Sequence, residues 1–304
     1  MRFAEREVRA GSSNALGLAA GYALDMLLGD PRRGHPVALF GRAAAALERR
    51  MWADSRARGV VYTVVCAGAA AGLGAVLQRR SRFAATALAT WIVLGGRGLA
   101  AEGEAMAELL DAGDLPAARR RLSHLCGRDA TELGVRELAR AATESVAENT
   151  SDAVVAPLLW GAVAGVPGLL GYRALNTLDA MVGHRSARYE RFGWAAARAD
   201  DLANLVPSRI AALAAAVLSD RPSRAWRIWR RDGSRHPSPN AGQVESAFAG
   251  ALGVRLGGVN SYGGRVEDRG TLGDGPPPGT ADLRRAVALS RAVGLAALAI
   301  AVVR

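Results

Sequence analysis

Residues 144 to 160 read ESVAENTSDAVVAPLLW, and three of them are acids at four-residue intervals: Glu144, Glu148 and Asp152. On a helix each such step turns about 40°, so the three carboxylates make one acidic stripe leading toward Pro157. Stacked like charges repel, and the arrangement is tolerated where a metal ion or a cationic group sits on it. A second set, Asn176 and Asp179 at i, i+3, and a third, Asp200, Asp201 and Asn204, follow further along. Short acids and amides of this kind hold cations, take up protons or bind polar ligands. For each set the alternative is a solvated helix face.

The elements that must position these groups are oily. Positions 60 to 77, VVYTVVCAGAAAGLGAVL, carry no charge and, at about 1.5 Å per residue, reach across most of a bilayer core. Further candidate spans are 14–29, 83–99, 153–172, 202–218 and 286–303. Several hold an ionisable residue, namely Asp25, Arg97, Arg209 or Arg291. Each costs roughly 2.5–3.5 kcal/mol at a bilayer centre, so it should face a bundle interior or an interface. The remaining reading is a soluble helical protein with Ala-rich buried helices. Arg residues before the first apolar stretch resemble a signal peptide, but Asp25 interrupts it and no small-x-small site follows, which predicts an uncleaved first helix.

The net charge is +11, carried by 39 Arg and no Lys. With so much Ala and Gly, this skew points to GC-rich coding, and the Arg residues spread over almost every loop with few aromatic neighbours, so no nucleic-acid partner is expected. Without Lys there is no P-loop. GRGLAA at 96 to 101 has the letters of a dinucleotide fingerprint but sits in oily sequence with no strand before it. There is no nucleophile elbow, no H-E-x-x-H and no Cys pair, and the four His lack metal spacing. Cys66 in an apolar span and Cys126 in a basic loop argue against a disulfide. Strand signals are poor, which leaves an all-α class.

Residues 102–143 predict two or three amphipathic helices outside the hydrocarbon, with a stop and restart at Gly113, Asp114 and Pro116. HPSPNAGQVE at 236 to 245 predicts a helix start at Asn240 or Ala241. The Gly-rich run 257–275 is either a surface linker or a loop whose backbone amides approach phosphate oxygens.

Six motifs, ALDMLLGDPRRGHPV (23–37), ESVAENTSDAVVAPL (144–158), YRALNTLDAMVGH (172–184), RYERFGWAAARADDLANLVPSRI (188–210), HPSPNAGQVESAFAGALGVRLGG (236–258) and YGG (262–264), closely resemble in matching order the cobalamin-biosynthesis membrane family called CobD or CbiB, the adenosylcobinamide-phosphate synthases. The resemblance covers about residues 21 to 275; residues 1–13 read as an extension, and 14–304 as a single integral membrane catalytic domain with 102–152 and 219–285 largely extramembrane. It implies a polytopic membrane helical bundle with amphipathic cytoplasmic helices and a Gly-rich loop, multi-pass in the cell membrane, its site facing the cytoplasm. It implies a ligase that joins the propionate carboxylate of adenosylcobyric acid to the amine of (R)-1-amino-2-propanol phosphate, or of aminopropanol, with ATP as co-substrate and Mg²⁺. Assembly with further copies of the chain is left open.

A carboxylate does not condense with an amine unaided, and an acyl phosphate made from ATP is the usual route. Mg²⁺ needs carboxylate oxygens while it bridges phosphates, and Glu144, Glu148 and Asp152 are its candidate ligands. Asp179, Asp200 and Asp201 join them as candidate catalytic acids. The attacking amine must be neutral, so one acid, rather than His184, is expected to take its proton. Arg173, Arg185, Arg198 and Arg209 suit phosphate or corrinoid amide carbonyls. Asn149, Asn176, Asn204, Glu245, Asn260, Tyr262, Gly263 and Gly264 complete the candidate substrate-binding set with Asp30, His35, His236 and Asn240, although these last four are also loop-fixing and capping types.

If Glu148 and Asp179 serve one site, residues 153–172 must return to the side they left. Pro157, Gly161, Gly165, Pro167, Gly168 and Gly171 suit a broken or re-entrant hairpin. The rival functions are a transporter of a small solute or corrinoid and a non-catalytic membrane scaffold.

Overall fold

The computed structural model describes residues 2–31, 34–184, 186–262 and 265–303, the side chains of 2–10, 261–262 and 265–266 excepted. The described residues form α1 (Arg2–Leu28), α2 (Pro36–Met51), α3 (Arg56–Arg80), α4 (Arg82–Val93), α5 (Gly96–Asp111), α6 (Leu115–Leu122) and α7 (Val135–Thr150). After these come α8 (Ala156–Leu178), α9 (Trp194–Val217), α10 (Pro222–Asp232), α11 (Ala241–Leu252), the strands β1 (Leu256–Tyr262) and β2 (Arg265–Leu272), and α12 (Thr280–Val302). They divide into two compact units: Met1–Gly95, Ala156–Asn204 and Leu298–Arg304 make the first, and Gly96–Val155 with Leu205–Ala297 make the second.

Among the described residues, four stretches are long and apolar enough to cross a membrane: Arg56–Arg80, Arg82–Asp111, Val135–Gly183 and Thr280–Val302. Two expected spans, 14–29 and 202–218, form helices without meeting that description. Asp200, Asp201 and Arg209 interrupt α9, while Ser12, Ser13, Asn14 and Asp25 interrupt α1. The leading residues expected as an extension belong to α1 from Arg2 onward.

In the first unit, α1 and α4 pack closely because glycine permits it. A Cβ at Gly17 would strike Thr86, and one at Gly21 would strike Thr90, the small-residue contact that brings apolar helices together without a hydrophobic drive. Helix α8 is broken where sequence predicted a break. Gly165 has φ 63° and ψ −145°, outside the helical region and open chiefly to glycine. The chain reverses there. Residues 160 and 168 would stand about 12 Å apart along a continuous helix, yet a Cβ at Gly168 would run into the Trp160 carbonyl.

A break in apolar surroundings frees backbone groups that must find other partners. The Val166 N–H donates to Gln78 Oε1 of α3 at 2.8 Å, and the Gly161 carbonyl accepts from Asn14 Nδ2 of α1 at 3.0 Å. Thr86 of α4 in turn donates to Asn14 Oδ1 at 3.2 Å. Two neighbouring helices thus supply the groups that close the hairpin tip, and a third fixes one of those groups.

The second unit holds the polar helices. Helix α5 ends at Asp111 and α6 opens behind Asp114, whose Oδ1 accepts from the Ala117 N–H at 3.0 Å, as the Gly113–Pro116 punctuation predicts. Helix α11 opens at Ala241 behind Asn240. The Gly-rich run expected as a loop is instead an antiparallel ribbon: Leu256 pairs with Leu272 and Tyr262 with Arg265, with a bulge between Gly257 and Val259. Its glycines hid the apolar positions, Leu256 and Leu272, that bury one end of the ribbon.

Candidate functional site

The acids of the second unit are placed by α7. Its first turn is a capping box in which the Gly134 N–H donates to the Glu137 carboxylate at 2.8 Å. Leu138, Ala142 and Val146 bury its apolar side. Gly103 of α5 lets that side approach, since a Cβ there would press on Val287 and Val146. Glu144 is consequently interior. Its Oε2 accepts from Arg128 Nη2 at 2.6 Å and its Oε1 from the Gly257 backbone N–H at 2.7 Å, with Arg140 Nη1 at 3.6 Å. At Glu144 the positive group that the acidic stripe requires is arginine.

Glu245, on α11, is completely buried, and neither carboxylate oxygen has a hydrogen-bond partner among the described residues. His236 Nε2 stands 3.9 Å from its Oε1. The His236 Nδ1 accepts from the Ser238 N–H at 3.0 Å, so a neutral ring carries its proton on Nε2, the nitrogen nearer Glu245. Burial, reinforced by the charges of Glu144 and Glu148, raises the Glu245 carboxyl well above the usual range, while Arg269 and Arg128 oppose the rise. Burial, with Arg269 repelling a second positive charge, holds the His236 imidazole down at about 4. Burial thus favours the neutral form of both groups, and three glutamates, two arginines and a histidine interact in one low-dielectric centre.

Asp152 lies outside α7, in a π-turn at Ser151–Val155. Asp179 opens a second π-turn, Asp179–Gly183. A π-turn inserts a residue into the helical repeat and re-aims side chains, a device frequent at functional sites. The sequence showed the acids but not these turns. Among the described residues, no group of three or more His, Cys, Asp or Glu is placed to hold a metal ion. Asn149 Nδ2 donates to the Ser145 carbonyl at 2.9 Å, and Asn260 Oδ1 accepts from Arg140 at 3.1 Å.

The first unit gathers a different set. Asn176 and Asn204 donate to Asp200 at 3.4 and 3.1 Å, Arg173 donates to Asn176 at 3.3 Å, and Tyr172 donates to Asn204 at 2.9 Å. Asp201 points elsewhere, to the half-exposed Arg198 at 3.0 Å. A Cβ at Gly183 would meet the Asp179 carboxylate, so glycine lets that side chain fold over its own turn. Arg173 also borders an apolar cavity of about 480 Å³ lined by residues of α2, α3, α4 and α8.

Other candidates stand apart from these clusters. His35 caps α2 through Nδ1, which accepts from the Val37 N–H at 3.2 Å, and its Nε2 lies 3.7 Å from Asp30. The two His-Pro motifs thus share one loop-fixing bond. His184 is exposed, edge-on to Tyr189. Arg209 is exposed and donates to the Leu205 carbonyl at 2.8 Å, while Asn240 accepts from Ser208 at 3.2 Å. Gly263, Gly264, Arg185 and the Tyr262 side chain lie outside the described residues.

Sequence reasoning missed Arg128, Arg140, Arg269 and the Gly257 amide. For Arg140 a signal existed: continuing the four-residue interval backward from Glu144 gives Arg140 and then Arg136. The even spread of Arg along the chain concealed it.

The family model described as CobD/Cbib protein matches residues 18–290. Curated relatives, each called cobalamin biosynthesis protein CobD, include one from Mycobacterium tuberculosis, 57% identical over 298 residues and covering 95% of each chain. One from Geobacter metallireducens is 47% identical over 266 residues, covering 83% of this chain and 84% of its own. One from Rhodobacter capsulatus is 44% identical over 283 residues, covering 88% and 90%. No solved structure matches the chain.

Proposed function

From a chain that belongs to the CobD/CbiB family of cobalamin biosynthesis proteins, we propose an amide ligase: it joins the propionate carboxylate of adenosylcobyric acid to the amine of (R)-1-amino-2-propanol phosphate, giving adenosylcobinamide phosphate. The family match across residues 18–290 carries this reading. The buried glutamate centre of the second unit supports it chemically.

The carboxylate oxygen of the corrinoid substrate attacks the γ-phosphorus of ATP, forming an acyl phosphate and releasing ADP. The amine then attacks the acyl carbon, inorganic phosphate leaves, and the ammonium proton must be lost before that attack. We assign the proton to the Glu148–Glu245 pair. Two carboxyls close together in a low-dielectric site do not both ionise readily. Burial and the charges of Glu144 and Glu148 favour the protonated form of Glu245, which leaves the half-buried Glu148 to accept the proton. Glu144, with its oxygens engaged by Arg128 and the Gly257 amide, holds β1 against α7.

Mg²⁺ commonly takes only one or two protein carboxylates beside waters and phosphate oxygens, so Asp152 would be its protein ligand while Glu148 is left for the proton. When bound it would neutralise phosphate charge. In the first unit the Asp200–Asn176–Asn204–Tyr172 network offers donors and acceptors for the amide-rich corrinoid edge. The protein works in the cell membrane with this chemistry on the cytoplasmic side.

The test is incubation of purified protein in lipid with adenosylcobyric acid, aminopropanol phosphate, ATP and Mg²⁺. ADP and the amide appearing in equal amounts are expected. Uptake of the corrinoid into vesicles with no amide formed would instead establish a transporter.

A further inference from the structure

Beside the glutamate centre, the second unit has a cavity of about 330 Å³ between the start of α7 and β1. Its wall includes Arg136, Arg140 and Arg255, with Gly257 and Gly258 as its floor. We infer that this cavity binds the phosphoryl group of a small phosphate ester, with Arg136, Arg140 and Arg255 as its guanidinium ligands. The inference deepens the ligase reading and rests on it.

Four observations converge. Arg136 and Arg140 are one turn apart on α7, so their side chains share a face. Arg255 comes from the opposite wall, its backbone fixed by a 2.9 Å bond from its N–H to the Pro276 carbonyl. Among the described residues, neither Arg136 nor Arg255 has an ion-pair partner, and both are exposed. The carboxylates nearby are already committed: Glu137 caps Gly134, and Glu144 is held by Arg128. With Glu137 the carboxylate on its wall and Arg140 near Glu144, the cavity carries net positive charge from Arg136 and Arg255, at the N-terminal end of a 16-residue helix where the dipole adds to it.

The floor permits close approach. Gly257 and Gly258 have φ of 79° and 85°, and Gly258 has no partner in the strand register because the bulge falls there. A Cβ at Gly258 would come within 3.3 Å of Arg140 Nη1, so that guanidinium lies directly over the glycine backbone. Three planar donor forks suit the several oxygens of a phosphoryl dianion better than a single carboxylate. The volume lies at the lower end of small-molecule sites, about 300–1,000 Å³, which fits a phosphate ester or a nucleotide's phosphates rather than a corrin ring.

The ester is the aminopropanol phosphate or the nucleotide, and binding measurements separate them. Full-length protein in detergent is titrated with 1-amino-2-propanol O-phosphate, with unphosphorylated 1-amino-2-propanol, and with a non-hydrolysable ATP analogue. Arg136→Ala and Arg255→Ala are each compared with wild type after far-UV circular dichroism confirms the fold. Both variants are expected to weaken one phosphate-bearing probe tenfold or more and to leave the unphosphorylated amine unchanged; the probe affected identifies the source. Unchanged affinity for both phosphate-bearing probes, or no binding of either by wild type, would overturn the pocket, even if amide synthesis continues. Loss of phosphate binding in the variants of a protein that makes no amide would keep the pocket and remove the ligase.

Discussion

Asp232 and Glu245 are both fully buried acids of the second unit, in opposite situations. Asp232, at the end of α10, accepts from Arg231 Nε and Nη2 at 2.8 and 2.7 Å and from the Gly273 N–H at 2.9 Å, with Arg235 Nη1 at 3.0 Å. Burial pushes its carboxyl up, but Arg231, the Gly273 amide and Arg235 together hold it below the usual range. Glu245 has no hydrogen-bond partner among the described residues and is raised instead. A buried acid whose oxygens are all satisfied fixes structure; one left unsatisfied among like charges is a candidate for chemistry.

Substitutions can break this contrast. The largest expected effect is on turnover: Glu148→Gln should lower amide formation at least ~100-fold, the scale of lost acid–base catalysis, with helicity by circular dichroism unchanged. Glu245→Gln should lower turnover comparably while leaving the protein as stable as wild type or more so. A full rate in both variants would dismiss the glutamate centre as the place of proton transfer.

Stability should move the other way. Asp232→Asn removes the charge that Arg231, Arg235 and the Gly273 amide surround and should cost about 1.5–3 kcal/mol, read as a lower thermal midpoint, while the folded fraction keeps its rate. The pH signatures also oppose. The depressed Asp232 pKa makes its contribution present above the unfolded value and lost as pH falls through the folded one. The raised Glu245 pKa means the unfolded chain releases that proton first, so its burden grows as pH climbs past about 4.5. The Glu245→Gln midpoint should therefore exceed wild type by more at pH 8 than at pH 5; a constant difference would contradict a protonated Glu245.

Smaller effects sharpen the same distinction in the first unit. Gln78→Leu leaves the Val166 N–H without its acceptor at the hairpin tip and should cost roughly 1–3 kcal/mol, measured by unfolding in detergent. Asp201→Asn breaks a pair with the half-exposed Arg198 and should cost under about 1 kcal/mol. Asp200→Asn, inside the amide network, should reduce corrinoid binding more than Asp201→Asn does; the reverse ranking would place the working acid on the outer face of α9.

Much of the fold was legible because it rests on local rules. Asp114 and Asn240 mark helix starts, and the Gly-Pro run 161–168 marks a break, since each acts through its own backbone. The ribbon at 256–272 was not legible, because pairing two glycine-rich segments is a relation across the chain rather than a property of either. For the candidate site, the spacing of Glu144 and Glu148 was visible, whereas Asp152 reads as their helical continuation until a π-turn redirects it. Arg128 was hidden for a related reason, since one arginine among 39 carries no local mark, and Glu245 reads as a binding residue without any sign that burial would leave it unsatisfied.

The sequence alone determined that this chain is helical, apolar enough to span a membrane, and patterned with the acids of one family, because helical periodicity, hydropathy and short motifs are written in neighbouring residues. Only the tertiary structure decided which acid meets an arginine and which is left unsatisfied. That outcome depends on groups over 100 residues apart, such as Glu144 and the Gly257 amide, entering the same low-dielectric space, where each charge acquires the partners that burial makes necessary.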